Sequence, residues 1–149
     1  MANQAPEQNL IDEFVGHMRN HADLNLCIDE IYNLKCRSKT FADIEFLSKS
    51  KLHWVIEAKS NDSKDKHNTV HKIFGELLKE TGRVNREKCR HAVLIPESSI
   101  GFYSRAFQSI DREKFLGFGT LIPIDTVFLS GASGVQQITW AALYDSHQP

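Results

Sequence analysis

Three features of the chain predict an α/β fold with a mixed central β-sheet flanked by helices. Two apolar runs, one around Trp54-Val55-Ile56 and one in Arg90–Pro96 (RHAVLIP), have the length and residue types of buried strands. Other segments repeat their apolar residues at the 3.6-residue helical period. Strand and helix patterns alternate along the chain, as expected of a sheet covered by helices.

The first helix is expected from about Glu7 to Asn20. Pro6 suits its start, and Leu10, Ile11, Phe14, Val15 and Met18 form an apolar stripe. Residues 1–6 read as a loose tail. Residues 23–37 fit two patterns. Leu24, Cys27, Ile28, Ile31 and Leu34 have helical spacing, whereas Ile28–Arg37 also reads as a strand, and helix followed by strand is the expectation.

Next come two strands around the short polar segment Ser48–Lys51, an antiparallel hairpin by pattern. Beyond the polar stretch SNDSKDKHN, Val70, Ile73, Phe74, Leu77 and Leu78 predict a helix over Thr69–Thr81, with Gly82 as its stop. Arg90–Pro96 then forms a buried strand. Ser98 or Ser99 can cap a helix containing Phe102, Tyr103, Ala106, Phe107 and Ile110. Leu121–Leu129 and Val135–Leu143 read as the last strands, separated by Gly131–Gly134 and joined as a hairpin or lent to a subunit interface. Trp140 and Tyr144 are either anchors of that interface or core aromatics.

With 149 residues, 41% hydrophobic and 25% charged, residues 7–149 are expected to form one domain. Three cysteines without a CxxC pair argue against a disulfide framework and for a reducing cytoplasm. Cys89 and His91 lack the second pair that a zinc site needs. The N-terminus has no signal-peptide pattern, and no run approaches the roughly 20 apolar residues that span a bilayer. A soluble, cytoplasmic protein with no membrane partner is the expectation.

The chemistry concentrates in residues 41–60, FADIEFLSKSKLHWVIEAKS. Residues two apart on a strand share a face, so Glu57 and Lys59 point to one side, as do Asp43 and Glu45. An odd hairpin loop, Lys49–Lys51, puts Asp43 directly opposite Glu57, whereas an even one puts them on opposite faces. Opposed residues have Cβ atoms about 4.5–5.5 Å apart, close enough for two carboxylates to share a cation. Oxygen donors with room for water suit Mg²⁺ or Mn²⁺. A lysine beside them can position water or neutralise charge developing on phosphorus.

This pattern resembles the PD-(D/E)XK, or restriction-endonuclease-like, nuclease superfamily. Asp43 matches the first motif acid and Glu57-Ala58-Lys59 the acid-x-lysine motif, while Ala42 replaces the proline of the motif's name. The resemblance covers about residues 7–97, through a helix, a strand pair, a helix and another strand. It implies a restriction-endonuclease-like fold, with Asp43 and Glu57 as ligands of Mg²⁺ (or Mn²⁺), Lys59 as the catalytic lysine, and hydrolysis of phosphodiester bonds in DNA. Related nucleases often complete the metal site from the first helix, which makes Glu7 a further candidate ligand and Glu13, by helical phase, a weaker one.

Net charge is −1, but residues 35–91 hold 14 Lys and Arg against 8 Asp and Glu. This basic stretch surrounds the motif and suits phosphate contacts. Lys64, Lys66, His71 and Lys72 are the candidate nucleic-acid contacts, the last two on the helix whose first turn should border the site. His71 is also a candidate for proton transfer. Gly117-Phe-Gly119 lacks the third glycine of a dinucleotide fingerprint, and there is no P-loop or G-x-S-x-G. Cutting both strands of duplex DNA with so short a chain calls for a homodimer. The alternative is a noncatalytic nuclease-like domain that binds nucleic acid or a protein partner.

Overall fold

A computed structural model of the chain describes residues 5–33, 43–60, 66–81 and 88–146. Its elements run α1 (Ala5–Met18), β1 (Ile28–Asn33), β2 (Ile44–Ser48), β3 (His53–Ala58), α2 (Lys66–Thr81), β4 (Arg90–Pro96), α3 (Ile100–Phe107), α4 (Arg112–Leu121), β5 (Ile124–Gly131), β6 (Gly134–Thr139) and α5 (Trp140–Asp145). The strands form a six-stranded mixed sheet in the order β1-β2-β3-β4-β5-β6. The β3–β4 and β4–β5 pairs are parallel and the other three antiparallel. The architecture is therefore α/β, a mixed sheet with helices on both sides. Among the described residues, no helix is long and apolar enough to cross a membrane.

Two cores separate the faces of the sheet. On one, Ile11, Phe14 and Met18 of α1 pack on Ile44, Phe46, Trp54, Ile56, Ala58, Leu94 and Phe128. On the other, α2 to α5 bring Ile73, Leu77, Tyr103, Phe107, Phe115 and Trp140 onto Val93, Ile95, Val127 and Leu129. Alternation along β3 sends Trp54, Ile56 and Ala58 toward α1, which turns Val55, Glu57 and Lys59 toward the α2 side.

Four sequence expectations are corrected. Among the described residues, no second helix forms between α1 and β1. Asp23 instead nucleates a turn, its side chain accepting Asn25 N–H at 2.9 Å and its carbonyl accepting Leu26 and Cys27 N–H. That local hydrogen bonding outcompetes a helix, and Leu24 is left exposed. The strand half of the expectation is met over Ile28–Asn33, and residues 34–37 lie outside the described residues.

The final strand stops at Thr139, whose hydroxyl accepts Ala142 N–H at 3.0 Å and starts α5. Ser99, at the start of α3, makes no side-chain capping bond. Helix α4 is an additional element, capped by Asp111 accepting Glu113 N–H at 3.1 Å, and it delays the strand expected from Leu121 until Ile124. Gly117 and Gly119 dilute its helical pattern. Gly119 is required by packing, since a Cβ there would lie 2.3 Å from Trp140 Cδ1.

Trp140 and Tyr144 are core residues. Trp140 stacks on Phe115 with centroids 4.3 Å apart and donates its indole N–H to Phe115 O at 2.8 Å, and the Tyr144 hydroxyl donates to Ile110 O at 2.7 Å.

Candidate active site

The β2–β3 hairpin sets the geometry of the motif. Ser48 N–H donates to Leu52 O at 2.8 Å and Lys51 N–H to Ser48 O at 2.9 Å, closing a three-residue loop over residues 49–51. Lys51 takes the left-handed conformation, φ 74°, that ends such loops. The odd loop gives the pairs Ile44↔Ile56, Glu45↔Val55, Phe46↔Trp54 and Leu47↔His53. One step beyond Ile44, Asp43 faces Glu57, on the sheet face turned away from α1.

Both carboxyls are buried, each residue 7% exposed. Asp43 Oδ2 accepts Ala58 N–H at 3.0 Å, and the Asp43 and Glu57 side chains hydrogen-bond to each other. Burial is the main influence on Asp43 and pushes it up. The Ala58 N–H, the Lys59 ammonium and the Glu57 hydrogen bond hold it down, and the Glu76 charge adds to the rise, leaving it at about 6 instead of 3.8.

Lys59 is held at both ends. Its backbone N–H donates to Leu94 O at 2.8 Å, extending the parallel β3–β4 ladder past the end of the strand. Its ammonium, on a side chain 14% exposed, forms an ion pair with Glu76 of α2. The next residue is also fixed, because Tyr103 of α3 donates its hydroxyl to Ser60 O at 2.6 Å. Three elements, β4, α2 and α3, thus converge on the acid-x-lysine segment.

Asp43 and Glu57 offer an oxygen-only pair from opposed strands, a donor set that fits Mg²⁺ or Mn²⁺ with water and substrate oxygens filling the remaining positions. Among the described residues, no group of three or more His, Cys, Asp and Glu is assembled around a common point. The side chains of Glu7, on α1, and Lys66, on α2, lie outside the described residues, as does Lys64.

Glu13 lies elsewhere, its carboxylate accepting the Ser130 hydroxyl at 2.6 Å. His71 and Lys72 are both exposed on α2. Lys72 is one turn before Glu76 and shares its face, whereas His71 lies in phase with the exposed Leu78.

Sequence reasoning missed Glu76 and Tyr103, which act on the motif from α2 and α3. Glu76 is three residues from the core residue Ile73 in a helix of known phase, but only the packing of α2 shows that it meets Lys59. Glu45, on the Asp43 face, is buried and lies 3.2 Å from His53 Nε2 through Oε1. No protein-family model, curated protein or solved structure gives a significant match to the chain.

Proposed function

We propose that the chain is a metal-dependent endonuclease of the restriction-endonuclease-like type that hydrolyses phosphodiester bonds in DNA. The observation that carries this reading is the opposition of two buried, hydrogen-bonded carboxyls, Asp43 and Glu57, with Lys59 on the same face. Ionising a buried pair of acids is costly unless a cation compensates, and a site for Mg²⁺ or Mn²⁺ gives the arrangement a purpose. The element order also supports it, with α1, the β2–β3 pair, α2 and β4 following the order that the resemblance requires.

In this reading Asp43 and Glu57 hold the ion, which supplies Lewis-acid polarisation and an acidified water. Lys59 orients the attacking water or offsets negative charge gathering on the phosphoryl oxygens. Glu76 keeps the ammonium on the site's side of α2, and the Leu94 and Tyr103 hydrogen bonds fix the backbone beneath it. Exposed Lys72 contributes a phosphate contact. A homodimer would supply the second site needed to cut both strands of a duplex.

The test is cleavage of labelled single-stranded, duplex and branched DNA and of RNA, with Mg²⁺ or Mn²⁺ at low salt, by the native chain and by Lys59→Ala. Cutting that needs the ion and falls at least about 100-fold in Lys59→Ala is expected, the scale of losing one transition-state charge contact. Salt-sensitive binding without cutting would instead identify a noncatalytic nucleic-acid-binding domain, and neither binding nor cutting would remove the nucleic-acid reading.

A further inference from the structure

The face that carries Asp43 and Glu57 continues past them toward the hairpin loop and the β1 edge, where it ends in two rings. His53 opens β3 and Tyr32 lies near the end of β1, with ring centroids 5.1 Å apart in an edge-to-face arrangement. Tyr32 is 51% exposed, whereas the other Phe, Tyr and Trp residues among those described fill or pack against two cores. The His53 ring is fixed from below by the buried Glu45 carboxylate, 3.2 Å from its Nε2. A fixed imidazole supporting a half-open phenol ring is a platform with no core to serve.

Its position gives it a use. Glu45 and Asp43 are two apart on β2, and His53 and Glu57 are four apart on β3, so all four point to one face. His53 lies roughly 13 Å along β3 from Glu57 at about 3.3 Å per residue, and Tyr32, level with Trp54 and Val55 through β2, lies two to three residues along and two strands across, again roughly 13 Å away. That equals about four steps of stacked nucleic acid at roughly 3.4 Å each. The loop before His53 carries exposed Lys49 and Lys51, the latter ion-paired with Asp29 at 3.3 Å, so Lys49 offers a cationic group for a phosphate backbone on the His53 side of the rings.

We propose that Tyr32, supported by His53, stacks on an unpaired nucleobase of the strand whose phosphodiester lies at Asp43 and Glu57. Base faces inside a duplex are covered by their neighbours, and only a single strand, overhang, flap or branch offers one to a protein ring. The proposal rests on the phosphodiester reading and narrows it, because it assigns the site to nucleic acid carrying unpaired nucleotides within about four steps of the cut.

Binding of labelled single-stranded DNA, blunt duplex, and duplex with a single-stranded overhang is measured in the noncleaving Lys59→Ala background, with Tyr32→Ala or Tyr32→Phe added. Tyr32→Ala should weaken single-strand and overhang binding about 5- to 100-fold, the range for one base–ring stack, and leave blunt duplex unchanged. Tyr32→Phe should bind like the parent, because the ring remains. In the parent, one abasic nucleotide within the four next to the scissile phosphate should reproduce the loss, and in Tyr32→Ala it should add nothing. Unchanged single-strand binding by Tyr32→Ala with a flat abasic scan overturns the platform and leaves the nuclease reading standing. Absence of binding to every nucleic acid by the parent overturns both.

Discussion

Asp43 accepts the backbone N–H of Ala58 at 3.0 Å, so one acid of the motif is tied to the residue that separates the other two members. Any movement of β2 against β3 therefore disturbs Asp43, Glu57 and Lys59 together. The bond also favours the ionised form of Asp43, yet burial outweighs it and the group remains near 6.

This balance predicts a function–stability conflict. A carboxyl whose value rises from 3.8 to about 6 on folding favours the fold most below 3.8, and that contribution is lost as pH climbs through 6. The loss approaches about 3 kcal/mol at pH 8 if no cation is bound. Asp43→Asn keeps an acceptor for Ala58 N–H and removes the charge. In EDTA at pH 8 it should be about 1–3 kcal/mol more stable than the native chain by urea unfolding. The gain should shrink toward pH 4, and Mg²⁺ should raise the native midpoint more than the variant's. A variant less stable than the native chain at pH 8 would contradict the account.

Glu76→Gln removes a charge that raises Asp43 and frees the Lys59 ammonium, which lowers it. Both changes act in one direction. The Asp43 carboxyl resonance, followed by ¹³C NMR, should titrate below 6, and the acid limb of any cleavage profile should move to lower pH with it. An unmoved midpoint would show that Glu76 and Lys59 exert no net electrostatic control over Asp43.

Tyr103→Phe deletes only the hydroxyl that donates to Ser60 O at 2.6 Å. The buried carbonyl is left without that donor, at a cost of about 1–3 kcal/mol in denaturant unfolding. On the nuclease reading, because Ser60 adjoins Lys59, turnover should fall several-fold while Mg²⁺ affinity, read by calorimetry, stays unchanged. Equal losses of metal affinity and turnover would mean that the bond supports the whole site.

Gly119→Ala tests the far side of the sheet. Its Cβ would lie 2.3 Å from Trp140 Cδ1 and 2.7 Å from Nε1, so the indole must leave its stack on Phe115. Destabilisation of about 1–3 kcal/mol is expected from such overpacking, with a shift in tryptophan emission. Phosphodiester cleavage at a temperature where the variant is folded should be unaffected.

The strands β3 and β4 were legible because an apolar run with flanking charges marks each locally, whereas the sequence left the hairpin loop open between odd and even length, and only the structure places Asp43 against Glu57. The same locality explains the misses. At residues 23–27 the apolar spacing suits a helix, but the Asp23 side chain closes a turn that spacing cannot reveal. In α4 the two glycines obscure the periodicity, and Gly119 is explained only by an indole 21 residues later in the chain. Glu76 and Tyr103 reach the motif through tertiary packing, for which a single sequence carries no signal.

The order of the sheet has a kinetic consequence. Each strand after β1 lies beside its immediate predecessor in the chain, so none must be threaded between two that have already joined. Short-range pairing of this kind lowers the entropy spent before contacts form. The β1–β2–β3 meander can zip as soon as residue 58 is available, bringing Asp43 and Glu57 face to face while β4 is still unformed. The Lys59 N–H finds Leu94 O only when the first crossover closes. The two acids thus depend on a local hairpin, whereas the anchor of the lysine depends on a contact 35 residues further along the chain.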